Sequence, residues 1–142
     1  MKKILKKIMI IIVTLFLLLL VWVLIEWGAN SKGIVLPWHK QNAIATTLKW
    51  GGLHILPKDA KNIKISTEGE MFSRSFTLTF KSSKENILTW CKESLSLKTL
   101  TPDINNSNVI KYIVPIGKDG SIGGWVEISV ESWYVKIYMA WS

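Results

Sequence analysis

At 142 residues, 49% of them hydrophobic, the chain has room for one compact domain and one further element. Its formal charge of +8 includes four lysines at the N-terminus; the remaining lysines are dispersed, with a single arginine, Arg74. Nucleic-acid readers rely on clustered basic stripes and arginine forks, so no nucleic-acid partner is expected, and one cysteine, Cys91, excludes an intramolecular disulfide.

The first element is "KKIMIIIVTLFLLLLVWVLIEW", residues 6–27, in which residues 8–25 are apolar except for Thr14. As a helix those eighteen residues rise about 27 Å at ~1.5 Å each, close to the ~30 Å hydrocarbon slab of a bilayer. Trp22 and Trp27 then fall near the far interface, where an indole keeps its ring in lipid and its N–H in water. A cleaved signal has a shorter apolar core, of about 7–15 residues. Ala29 and Ser31 supply the small residues that cleavage near Ser31 needs, but the apolar length favours retention as a signal anchor. Lys2, Lys3, Lys6 and Lys7 crowd the leading flank, so the positive-inside rule keeps the N-terminus in the cytoplasm and exports the rest. The short basic leader and the Lys-, Ile- and Asn-rich usage read as bacterial. The expected location is the cytoplasmic (inner) membrane, single-pass, with a periplasmic or otherwise extracytoplasmic domain.

Beyond the run, and after Glu26, 14 basic and 9 acidic residues leave a mild net +5. Residues 28–60 are punctuated by Gly28, Gly33, Pro37, Gly51, Gly52 and Pro57, and predict an irregular membrane-proximal segment with a short helical stretch at 41–50. From residue 61 the period changes to two. "NIKIST" (62–67) and "SRSFTLTF" (73–80) alternate as half-buried strands, with "TEGEM" as the turn between them. "SSKENILTWCKESL" predicts a helix over 83–95, with Ser82 and Glu85 as a capping box. Ile87 or Leu88, Cys91 and Leu95 form its apolar stripe, with Trp90 at the margin.

A polar loop, "TPDINNSN", leads to three further strands at 109–116, 124–130 and 134–140. "GKDGSIGG" and "ESW" are the turns between them. The order β-β-α-β-β-β predicts an α+β, two-layer domain: an antiparallel sheet with one helix on a face. The chain thus divides into 1–27, 28–60 and 61–142.

No chemistry-bearing constellation stands out. His39 and His54, fifteen residues apart, lack a third ligand or a metal-binding spacing. Cys91 sits mid-helix toward the core, where a thiol is a packing group. Asp59, Asp103, Asp119, Glu68, Glu70, Glu127 and Glu131 are scattered over turns and solvent faces. No catalytic residue, cofactor or metal is expected. The eight tryptophans are the unusual feature, and Trp133 in its turn and Trp141 at the C-terminus are the candidate partner contacts.

The expected function is a membrane-anchored, non-catalytic binding protein of the envelope. Its partner would be another envelope protein, with the chain acting as an accessory subunit or an immunity-type protector. The alternatives are an envelope enzyme acting on wall or lipid-linked substrates and a module binding glycan or anionic polymer.

Overall fold

A computed structural model describes residues 2–70, 73–105, 108–117 and 121–142. Helix α1 (Lys2–Ser31) is long and apolar enough to cross a membrane, and none of its apolar window is buried against the rest of the protein. Helix α2 (Lys40–Trp50) follows where the sequence predicts a helical stretch.

The body continues with strands β1 (Lys61–Glu70) and β2 (Ser73–Lys81), helices α3 (Lys84–Glu93) and α4 (Leu95–Thr99), and strands β3 (Asp103–Asn105), β4 (Val109–Val114), β5 (Ser121–Ser129) and β6 (Tyr134–Trp141). They form one α+β unit with a six-stranded antiparallel sheet in the order β1-β2-β6-β5-β4-β3. Met71, in the first expected turn, Asn106 and Ser107 of the polar loop, and residues 118–120, including Asp119, lie outside the described residues.

The C-terminal strand is central. β6 joins the β1–β2 hairpin to the β3–β4–β5 meander, pairing Leu78 with Ile137 on one side and Val126 with Ile137 on the other. Alternation sets the two faces. Phe76, Leu78 and Phe80 of β2, Val126 and Ile128 of β5, and Val135, Ile137 and Met139 of β6 are all buried. Most of them join a core closed by Ile44 and Leu48 of α2, Ile87 and Trp90 of α3, and Leu97 of α4. Where β5 meets β6 the backbones crowd, and a Cβ on Gly124 would lie 1.8 Å from the Tyr138 carbonyl oxygen. Gly123, beside it at φ +93°, carries the bulge that adjusts the register.

The helix region departs from the sequence reading in four ways. Three helices, not one, cover the sheet face. The cap of α3 is Ser83, whose hydroxyl accepts the Asn86 N–H at 3.3 Å, while Ser82 donates its hydroxyl to Asp59. Trp90 is central rather than marginal at 2% exposure, because its indole N–H donates to the His54 carbonyl at 2.9 Å, removing the penalty for burying that group. Leu95 is 74% exposed: Ser94 is extended (φ −73°, ψ 115°), so helical phase is lost and Leu97 takes the buried position.

Candidate functional site

The helices leave the other face of the sheet uncovered among the described residues. Strand register lays two rows of side chains across it. One runs Ser66, Thr77, Tyr138, Trp125, Ile113; the next runs Lys64, Thr79, Lys136, Glu127, Lys111, Asp103. The first row ends in three large apolar or aromatic side chains. The second alternates in sign from Lys136 to Asp103.

Contacts tie the rows together. Trp125 and Tyr138 stack with centroids 5.8 Å apart and planes 17° from parallel. The Lys111 and Lys136 ammonium groups lie 5.1 and 5.3 Å from the centroid of the Trp125 ring. Lys111 also meets Glu127 at 2.9 Å. Ile113, the register partner of Trp125 on β4, stays 59% exposed. Its strand is paired on the outer side only through Val109, Ile110 and Lys111, since β3 is three residues long. At the opposite edge, Gly33 and Ile34 lie along β1, with the Thr67 N–H donating to the Gly33 carbonyl at 3.0 Å.

This arrangement can bind. Aromatic and Ile side chains flanked by sign-alternating charges form an apolar centre with a polar rim, as in protein-recognition surfaces. Sugar stacking requires an open ring face, and Trp125 already carries Tyr138 and two ammonium groups. Attraction of a polyanion requires a concentration of positive charge, and Glu127 and Asp103 offset Lys111 and Lys136, leaving Lys64 at the far end as the row's single excess charge.

The residues singled out from sequence lie elsewhere. Trp133 is half-buried against the core margin at φ +47°, with Lys84 over its ring at 5.6 Å. Trp141 is half-buried in β6 opposite Arg74. Trp22 and Trp27 are both exposed on α1, and Lys3, Lys6 and Lys7 lie on its leading turns with Lys2. Trp125 and Tyr138 were visible in the sequence as sharing strand parity with Glu127 and Lys136, opposite the core side.

The two histidines sit in separate places. His39 Nε2 lies 3.1 Å from Glu26 Oε1, which also accepts the Trp38 indole N–H at 2.9 Å, so α1 is bonded to the chain entering α2. His54 Nε2 lies 3.4 Å from Glu93 in an open groove that also contains Asp59. Asp59 is occupied structurally. The Ser82 hydroxyl, then the Ser83 backbone N–H, hold its carboxyl well below the usual carboxylate range and fasten it to the start of α3. Burial pushes the Cys91 thiol up to about 11, away from nucleophile chemistry. Among the described residues no group of three or more His, Cys, Asp or Glu could hold a metal ion.

No family model, curated protein or solved structure matches this chain.

Proposed function

We propose that the chain is a single-pass, membrane-anchored binding protein of the bacterial envelope, with its N-terminus inside and its sheet domain outside. The uncovered sheet face takes another envelope protein. An accessory subunit and an immunity-type protector are the two roles that fit such a surface, and no catalysis is assigned to it. The observation that carries this reading is the row Tyr138, Trp125, Ile113 beside the alternating row Lys136, Glu127, Lys111, Asp103 on a face no described helix covers. The anchoring half rests on the unburied apolar helix and the four lysines before it. Tethering confines the face to a shell a few tens of ångströms deep, which raises its effective concentration toward anything in that layer.

The test places a photoreactive phenylalanine analogue at position 113 of the full chain in cells, with position 88 on the exposed side of α3 as control. A discrete protein adduct at 113 and none at 88 is expected. Equal labelling at both positions would sink the reading. Carbonate extraction of membranes tests the anchor separately, and release of the chain into the supernatant would overturn it.

A further inference from the structure

Where α1 meets the body, a groove of about 450 Å³ opens between its last turns and the β1–β2 hairpin. Glu26 and Trp27 line it from the helix, Ile34 from the following segment, His39 from the entry to α2, and Arg74 and Phe76 from β2. We propose that this groove binds one zwitterionic glycerophospholipid, its phosphate on Arg74 and its headgroup ammonium on Glu26.

Three observations converge. Position comes first: Glu26 directly follows the eighteen-residue apolar run, so on the anchored reading, on which this inference rests, the groove opens at headgroup depth. Trp27, 71% exposed, lines the groove and belongs to the same helix that lipid surrounds. Charge comes second. The groove holds one guanidinium and one carboxylate, the complement of a headgroup carrying both signs. Arg74 is the only arginine in the chain, and a guanidinium fork matches phosphate geometry. Among the described side chains it pairs with no carboxylate. On Glu26 both bonds, from Trp38 and His39, fall on Oε1, and Oε2 takes none from the described residues. Third, the wall combines these groups with Trp27, Ile34 and Phe76, a surface for the glycerol backbone and the first acyl carbons. A free phosphate would use only the cationic part of such a site.

The experiment uses the full chain, purified in a maltoside detergent and titrated with phosphatidylethanolamine under native mass spectrometry. One lipid per chain is expected. Arg74→Gln and Glu26→Gln should each weaken retention about tenfold, the scale of one charge-assisted bond. Phosphatidylglycerol, which lacks the ammonium, should bind more weakly and lose no affinity on Glu26→Gln. Near-ultraviolet dichroism of the tryptophans verifies that both variants keep the fold. Absent one-to-one binding, retention by both variants as strong as by the unsubstituted chain, or equally tight binding of soluble glycerophosphoethanolamine would each overturn the proposal. Carbonate extraction of the membranes from which the chain is purified separates failure of the groove from failure of the anchor: a chain that stays in the membrane but retains no lipid after purification refutes only the groove.

Discussion

Trp125 and Tyr138 face each other across β5 and β6, their rings 5.8 Å apart on the side of the sheet no described helix touches. The same register puts Val126 and Ile137 together in the core, so the aromatic pair is held by the most buried strands of the domain. Its rigidity is inherited from that core.

On the proposed function, Trp125→Ala should damage binding more than folding. Truncating a central interface tryptophan costs about 2 kcal/mol or more, about thirtyfold in affinity. The stacking lost from the free protein is only about 0.5–1.5 kcal/mol. The yield of the position-113 adduct, compared with the thermal midpoint, measures the two effects separately.

Ser94→Ala should destabilise the domain without touching that face. Three hydrogen bonds close a ring here: the His54 N–H donates to Ser94 Oγ at 3.0 Å, the Ser94 hydroxyl to the Trp90 carbonyl at 2.8 Å, and the Trp90 indole N–H to the His54 carbonyl. Removing the hydroxyl leaves the His54 N–H without its acceptor, at a cost of about 1–3 kcal/mol. Denaturant unfolding reads the change as a lower midpoint with an unchanged slope.

Acid should loosen the start of α3. The Asp59 pKa is depressed in the folded chain, so its stabilising effect is fully present above the ordinary carboxylate range. It is lost as pH falls below about 4 toward the folded value. Asp59→Asn should flatten that part of a stability-against-pH profile. Ser83→Ala should lower stability by about 1 kcal/mol through loss of the cap.

Gly124→Ala should prevent β5 from pairing with β6, because the added carbon would lie 1.8 Å from the Tyr138 carbonyl oxygen, an atom of the backbone. Accumulation as insoluble protein is the expected result. Gly28→Ala, where nothing lies within 4 Å, is the matched control and should leave the domain's melting unchanged.

Cys91 should alkylate slowly at pH 8. With the thiol pushed up to about 11 by burial, its thiolate fraction is roughly a hundredfold below that of an ordinary cysteine. Iodoacetamide labelling before and after denaturation measures the ratio.

Much of this architecture was written locally. Phe76, Leu78 and Phe80 alternate strictly, as do Val135, Ile137 and Met139, and each set is buried as its period requires. What escaped reading depends on partners distant in sequence. Strand β3, "DIN", has no apolar pattern, and only its pairing with β4 makes it a strand. Trp90 became central because His54, thirty-six residues earlier, offers it a carbonyl. Trp125 and Tyr138 were legible as residues on the side away from the core, but their stacking required a register between strands.

The sequence by itself determined the unburied apolar helix, the strand alternation and which side of each strand faces inward, because sterics and hydrophobic period act within a few residues. Only the tertiary structure decided that the last strand lies at the sheet's centre, that three helices share one face, and that the opposite face gathers Trp125, Tyr138 and Ile113 into one row. Those outcomes depend on pairing between segments tens of residues apart, and no local period encodes which strand will be whose neighbour.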